Sequence, residues 1–296
     1  MRLITRGNLD GLVSAVFIST VEDVKTVKLV HPKDISDNKV HITDIDIIAN
    51  LPYHPDCGIW FDHHQMRESD QKPPDNFKGN HKIAPSVARV IYEYYSSDKL
   101  KPFEYLLDET DRFDSALLSM EDVTDPQGII LLGYTIDSRS GIGQFRDYFN
   151  SLVVWLQIMK IDEILQQPEV VERVNILREN SANFLQVLKE SSYIDGNVVI
   201  TDFRSLKNVP IGNRFLVYTL FPEANVSVRL QWGPERAFVA TTLGHSIFNR
   251  TSKANCGDIC NKYGGGGHAG AAGCTLETEK AEQQISEIIQ ELKKAG

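Results

Sequence analysis

The chain is poor in cysteine, and Cys57, Cys256, Cys260 and Cys274 include no Cys-x2-Cys pair, which argues against the common structural zinc frameworks and reads as reduced thiols. It opens with no apolar signal segment and contains no apolar run of membrane length, so the expectation is a soluble, cytoplasmic protein with no membrane partner. Positive charge is also short. Lysine and arginine number 31 against 40 acidic residues, a formal net charge of -9, which argues against a broad grip on long duplex nucleic acid. A short nucleotide or a small anion remains compatible with that charge. There is no internal repeat and no low-complexity segment. What is present is 296 residues, enough for one large core or two smaller ones, and two domains are expected.

The N-terminal part alternates short apolar strands with helical segments. Met1 to Thr5 reads as a strand, Arg6 to Gly11 as a turn and Leu12 to Thr20 as a helix. Val24 to Val30, Val40 to Ile42 and Cys57 to Phe61 read as further short strands, the last two running into Asp44 and Asp62. Strands separated by helices predict an α/β fold with a mostly parallel sheet, in which sites collect outside the carboxyl ends of the strands. Helices are expected from Ala84-Pro-Ser86 to Tyr95, from Pro102 toward Asp111, from about Ile142 to Leu165, and after Pro168 from Val170 to Leu188. From Val198 the pattern returns to strands, over Val198 to Thr201, Arg214 to Phe221, Asn225 to Gln231 and Ala237 to Thr242. Asn255 to Lys262 and Glu277 to Ala295 then read as helices. The expected division is a first domain over 1–165, a helical linker over 166–194 and a smaller α/β domain over 195–296.

Two segments are not needed for folding and point to chemistry. Phe61-Asp62-His63-His64 closes an apolar run with three groups able to bind metal or move protons. Tyr263-Gly-Gly-Gly-Gly-His-Ala-Gly-Ala-Ala-Gly273 reads as the opening of a small-residue helix whose bared N–H groups face an anion; its structural alternative is a tight crossing of backbone on backbone. Arg250 precedes the glycines and could fork onto the same anion. If the loops converge, Asp10, Asp44 or Asp46, Asp62 and one or more of Asp108, Asp111 and Asp114 would crowd together, a repulsion that a divalent cation relieves. Carboxylate with imidazole suits Mn²⁺, Fe²⁺, Co²⁺ or Zn²⁺, with manganese favoured. Any single acid at a strand end also has the plain reading of a helix cap or turn residue.

With Asn8-Leu-Asp10-Gly11, Thr43-Asp44-Ile-Asp46, Trp60-Phe-Asp62-His63-His64, Asp111-Arg-Phe-Asp114-Ser115 and Gly264 to His268 in view, the chain resembles the DHH family of phosphoesterases that carry a DHH-associated C-terminal domain. The resemblance spans nearly the whole chain. It implies an N-terminal parallel-sheet domain with a manganese centre and a smaller α/β domain that holds substrate. Residue by residue it implies Asn8, Asp10, Asp44, His63 and Asp111 as metal ligands, with His64 facing the phosphate and Asp62 supporting it. Arg250, Gly265, Gly266, Gly267 and His268 would bind substrate, while Asp46, Asp108 and Asp114 stay in competition for the metal.

The chain departs from the family in its first motif. Where members with a dinuclear centre commonly have His, three residues, Asp, one residue and Asp, this chain has Ile4, Asn8 and Asp10. The resemblance therefore implies one tight metal and a second that is weak or substrate-dependent. The implied activity is hydrolysis of a short oligonucleotide or a phosphorylated nucleotide by metal-activated water. Two alternatives stand beside it, an exopolyphosphatase acting on inorganic polyphosphate and a catalytically weakened nucleotide-binding regulatory module. A homodimer is compatible with either.

Overall fold

The computed structural model describes residues 1–66, 70–136 and 145–296. The chain divides into two compact units, one of residues 1–117 with 126–175 and the other of residues 118–125 with 176–296. The helix expected as a linker is α9 (Pro168–Ser191), and the division falls within it.

The first unit is built on five parallel strands, β1 (Arg2–Thr5), β2 (Thr26–Leu29), β3 (Asp46–Ala49), β4 (Ile59–Asp62) and β5 (Gly79–His81), in the order β2-β1-β3-β4-β5. Helices α1 (Leu9–Val21), α2 (Pro32–Ser36), α3 (Val87–Tyr95) and α4 (Glu104–Asp114) follow individual strands or one another. Helices α6 (Gly128–Tyr134), α7 (Phe145–Ile158) and α8 (Ile161–Ile164) complete the unit, and the short α5 (Met120–Thr124) belongs to the second. The expected start of a helix at Ile142 lies outside the described residues.

Helix α1 is the spine of this unit. Every residue from Leu9 to Ile18 is buried, because the helix is packed by α3, α4 and α7 as well as by the sheet. Its entry is tight: a Cβ on Gly11 would stand 2.0 Å from the Arg6 carbonyl oxygen, so only glycine lets the loop fold back onto the first turn. Trp60, fully buried at the centre of β4, donates its indole N–H to the Leu51 carbonyl at 2.9 Å and fixes the chain leaving β3.

One strand lies elsewhere than the sequence pattern suggests. Val40 to Ile42 is not a strand; the strand is β3, and its apolar core is Ile47-Ile48-Ala49, buried on both faces as a parallel strand requires. Asp44 and Asp46 therefore fall at its N-terminal side, and Asn50 is the residue that leaves its carboxyl end.

The second unit holds a mixed sheet in the order β10-β11-β9-β8-β7-β6, from β6 (Ser192–Asp195), β7 (Val198–Asp202), β8 (Val226–Trp232), β9 (Phe238–His245), β10 (Gly266–His268) and β11 (Ala271–Glu277). Among the described strands of this sheet, β7 and β8 are the pair that runs parallel. Helix α12 (Ala281–Lys294) lays Ile285, Ile288 and Leu292 onto the core made by Val198, Ile200, Val228 and Leu276, while α11 (Cys256–Asn261) covers β10 and β11. Arg214 to Phe221 contains a helix, α10 (Leu216–Leu220), where alternation suggested a strand, and Glu277 ends a strand instead of opening the last helix.

Candidate active site

The carboxyl ends of the parallel strands deliver Asn8 and Asp10 after β1, Asn50 after β3, and Asp62 to His64 after β4. Asp10 is 1 % exposed and sits in the first turn of α1. Its two oxygens accept from the backbone N–H groups of Val87 and Ala88, both at 2.9 Å. These are the first donors of α3, which no intrahelical acceptor can satisfy, so the carboxylate also meets the positive end of that helix. Ser86 caps the same helix, accepting from Arg89 N–H at 3.0 Å and donating to Asp111 at 2.5 Å.

His63 is aimed at this carboxylate. Its Nδ1–H donates to the Ala84 carbonyl at 2.9 Å, so in the neutral ring the lone pair falls on Nε2. That Nε2 is buried with no hydrogen-bond partner and lies 3.4 Å from Asp114 and 4.0 Å from Asp10. One ligand atom from each of Asp10, His63 and Asp114 falls within 4.8 Å of the others. A buried lone pair facing two carboxylates, with no donor between them, costs about 1–3 kcal/mol. A divalent cation satisfies all three at once, so this donor set of two carboxylates and one imidazole fits the metal that the resemblance implies.

The electrostatics agree with that reading. Burial and the neighbouring Asp114 charge push Asp10 well above the usual carboxylate range, against the pull of its two backbone N–H bonds. Burial likewise raises Asp114, with His63, His64 and Arg6 opposing the rise. Two carboxyls held above their ordinary range by desolvation and by a neighbouring carboxylate, Asp114 for Asp10 and Asp111 for Asp114, are groups that a cation would keep ionised.

The Asp62 carboxylate is engaged by the two histidines that follow it. One oxygen accepts from the His63 backbone N–H at 2.9 Å and from His64 Nδ1 at 2.7 Å, so it holds the two histidines in relation to each other. The half-exposed His64 ring, its Nδ1 turned to Asp62, keeps Nε2 for a ligand. The Asp62 hydrogen bond raises the His64 pKa, so the ring stays protonated to higher pH. If protonated His64 serves turnover, the alkaline limb of kcat/KM reports its pKa. Asp62→Asn then moves that limb to lower pH, because the anionic partner holding the proton is gone. A pH profile of both proteins checks this, and identical alkaline limbs would remove Asp62 from the role.

Other expected ligands lie elsewhere. Asp44 is exposed in the turn before β3, at the opposite end of the strand from the cluster, because the strand begins after it instead of leading into it. Asp46 is buried there too, bound by Arg2 Nε at 2.8 Å and by Thr43 N–H at 2.8 Å. Asp111 is brought near the cluster but is taken by Arg89, at 2.7 Å from Nε, and by Ser86, while Asp108 shares Nη2 of that guanidinium with it. Asp114, one helical turn on, is the acid of that segment that meets His63. Asn8 stands beside Asp10, yet its Oδ1 accepts from Gly11 N–H at 3.0 Å as the cap of α1 and from Asn50 Nδ2 at 3.2 Å.

Two residues take parts that the sequence did not assign to them. Asn50 is 2 % exposed and donates from Nδ2 to Asp10 at 3.1 Å; an amide does not read as an acid, and only its place after the third strand would have marked it. His81, at the end of β5, stacks on Trp60 with ring planes 14° apart and donates from Nε2 to the His64 carbonyl at 2.8 Å. It pins the backbone that carries His64.

In the second unit the glycines do not open a helix. Gly266 to His268 form the exposed edge strand β10, paired antiparallel with β11 through Gly266 to Gly273, Gly267 to Ala272 and His268 to Ala271. Gly267 has a φ of 149°, and a Cβ there would lie 2.5 Å from the Ala271 carbonyl oxygen, so the close crossing of backbones explains the glycine. Gly265 is tighter still, with Gly273 O at 2.2 Å from its hypothetical Cβ. His268 is exposed, and its Nδ1 accepts from Gly270 N–H at 3.2 Å. Arg250 is exposed and donates from Nε to the Ile247 carbonyl at 2.9 Å. Gly267→Ala is expected to cost roughly 1–3 kcal/mol through strain at that φ and crowding against β11. Urea unfolding checks this, and an unchanged midpoint would contradict the fit.

Among the described residues no helix is long and apolar enough to cross a membrane. No family model and no curated protein matches the sequence. Among solved structures, a pGpG-specific phosphodiesterase, PggH of Vibrio cholerae, is 35% identical and superposes with a TM-score of 0.86, covering 100% of this chain and 99% of its own. A DHH-domain structure described as a member of a family of ribosomal proteins is 12% identical with a TM-score of 0.65, covering 99% of this chain and 87% of that one, and shares the fold. RecJ from Thermus thermophilus in complex with Mn²⁺ shares it as well, at 11% identity and a TM-score of 0.52, over 97% of this chain and 51% of its own. The extent and identity of the match to the phosphodiesterase, with the Asp-His-His turn at the carboxyl end of a parallel strand, place the chain in the DHH family of phosphoesterases.

Proposed function

We propose that this phosphoesterase hydrolyses the phosphodiester of a short linear oligonucleotide, with a guanine dinucleotide of the pGpG kind as its first substrate, and that it does so with a manganese ion held by Asp10, His63 and Asp114. The observation that carries the reading is the buried, unpartnered Nε2 of His63 set against two carboxylates. The similarity to a pGpG-specific phosphodiesterase over the full chain supports the substrate, and the net charge of -9 suits a short anion better than a long one.

A divalent ion in this place supplies positive charge to the phosphate oxygens and acidifies water. The protein does the rest. The α3 N-terminus and its two N–H donors hold Asp10 in one orientation, and the Ala84 carbonyl holds His63 in the tautomer that presents Nε2. His64, whose proton Asp62 helps to hold, donates to a phosphate oxygen or to the leaving oxygen. In the second unit Arg250, Gly265, Gly266, Gly267 and His268 recognise the substrate, with the exposed backbone of β10 offering N–H donors to an anion. Four cysteines outside any disulfide support a reducing, cytoplasmic setting. Steady-state release of GMP from pGpG, with inorganic polyphosphate and a 3′-phosphorylated adenosine nucleotide as parallel substrates, tests the assignment. Preferential turnover of polyphosphate would reverse it.

A further inference from the structure

We infer that the Asn8–Asn50 amide pair holds the metal centre of this chain at a single ion, because the Asn50 amino group occupies the position a second cation would take. The inference rests on the metal site proposed at Asp10, His63 and Asp114. Asn50 Nδ2 donates to Asp10 Oδ2 at 3.1 Å and to Asn8 Oδ1 at 3.2 Å, so one partly positive group already bridges these two oxygens. With a cation on Asp10 the carboxylate is ionised and only accepts, so in the loaded centre the Asn50 amino group and not Oδ1 faces it. Asn8 offers no remaining lone pair, since its Oδ1 accepts from Gly11 N–H and from Asn50. Both amides are neutral, and neither adds charge to attract a second divalent ion.

The backbone makes the test feasible. Asn50 has a φ of 60°, the left-handed region in which asparagine and aspartate are the best tolerated side chains after glycine. Asn50→Asp therefore keeps the local conformation and volume, and replaces a donor by an acceptor. With Asn8→Asp added, three neighbouring carboxylates would face one another with no donor between them, an arrangement that calls for a cation.

The experiment is Mn²⁺ titration by calorimetry and elemental analysis on the full chain, wild type against Asn50→Asp and the Asn8→Asp/Asn50→Asp double variant. Wild type should bind one ion per chain, and the double variant two. Electron paramagnetic resonance of Mn²⁺-loaded wild type provides a measurement that does not depend on any variant folding, and should show the hyperfine pattern of an isolated ion. Two ions of comparable affinity in wild type, a spin-coupled spectrum, or a folded double variant that still binds one ion would overturn the inference. Absence of any bound ion in wild type would overturn the proposed metal site itself.

Discussion

His63→Ala is expected to abolish tight Mn²⁺ binding and to lower kcat/KM for a dinucleotide by about 10³-fold. Lewis-acid stabilisation of a phosphoryl transition state is worth several kcal/mol, and about 4 kcal/mol corresponds to roughly 10³ in rate. The imidazole is the only neutral nitrogen in the proposed set and the one whose lone pair has no other use. Because Nε2 makes no hydrogen bond in the protein, its removal should leave the thermal stability of the metal-free form little changed; the lost Nδ1–H bond to Ala84 is offset by relief of a buried unpartnered atom. Binding and activity should therefore collapse while folding does not. A variant that retains metal affinity and kcat/KM within about tenfold of wild type would show that His63 is not a ligand.

Metal loading is expected to stabilise the first unit by about 4 kcal/mol at a Mn²⁺ concentration a thousand times Kd, a shift of roughly 8–16 °C in its melting temperature. The physical source is the burial of Asp10 and Asp114, which raises both carboxyls, helped by the Asp114 charge on Asp10 and the Asp111 charge on Asp114. A raised carboxyl pKa means that the folded metal-free protein holds protons the unfolded chain has released. Stability of the metal-free form should therefore fall as pH rises through the raised range, whereas the loaded form, its carboxylates ionised against the cation, should not follow it. The metal-dependent shift thus grows with pH. Calorimetric scans with Mn²⁺ or chelator across pH check this, and the shift should vanish in His63→Ala. An equal shift in that variant would place the ion elsewhere.

The parallel sheet and the first and third motifs were legible because they rest on local chemistry. Folding alone gives a buried apolar strand no reason to run directly into Asp62-His63-His64, and Asp10 follows a glycine-dependent turn into a helix. The second motif is hard to place from sequence because two short segments compete for one strand. Val40 and Ile42 alternate with polar residues, yet the run that enters the sheet is Ile47-Ile48-Ala49, and pairing of Ile48 with Trp60 and Ala49 with Phe61 brings Asn50 and Asp62 out of the sheet at the same end. Register of this kind is a tertiary property. The choice between Asp111 and Asp114 depended on which face of α4 meets Arg89, which spacing alone does not give. In the second unit, the glycine run carried two readings, and the antiparallel pairing with Ala271 to Gly273 selected the close backbone crossing over the helix. His81 acts through stacking on Trp60 and a bond to the carbonyl of His64, 17 residues earlier in the chain, which no local pattern announces.

A phosphodiesterase whose metal sits on Asp10, His63 and Asp114 is tested most directly by steady-state GMP release from pGpG with chelator-stripped protein, before and after Mn²⁺ is restored, alongside His63→Ala at the same metal concentration. No turnover is expected without metal, turnover on its return, and none in the variant. Turnover that survives chelation, or that persists in His63→Ala with added Mn²⁺, would contradict that centre.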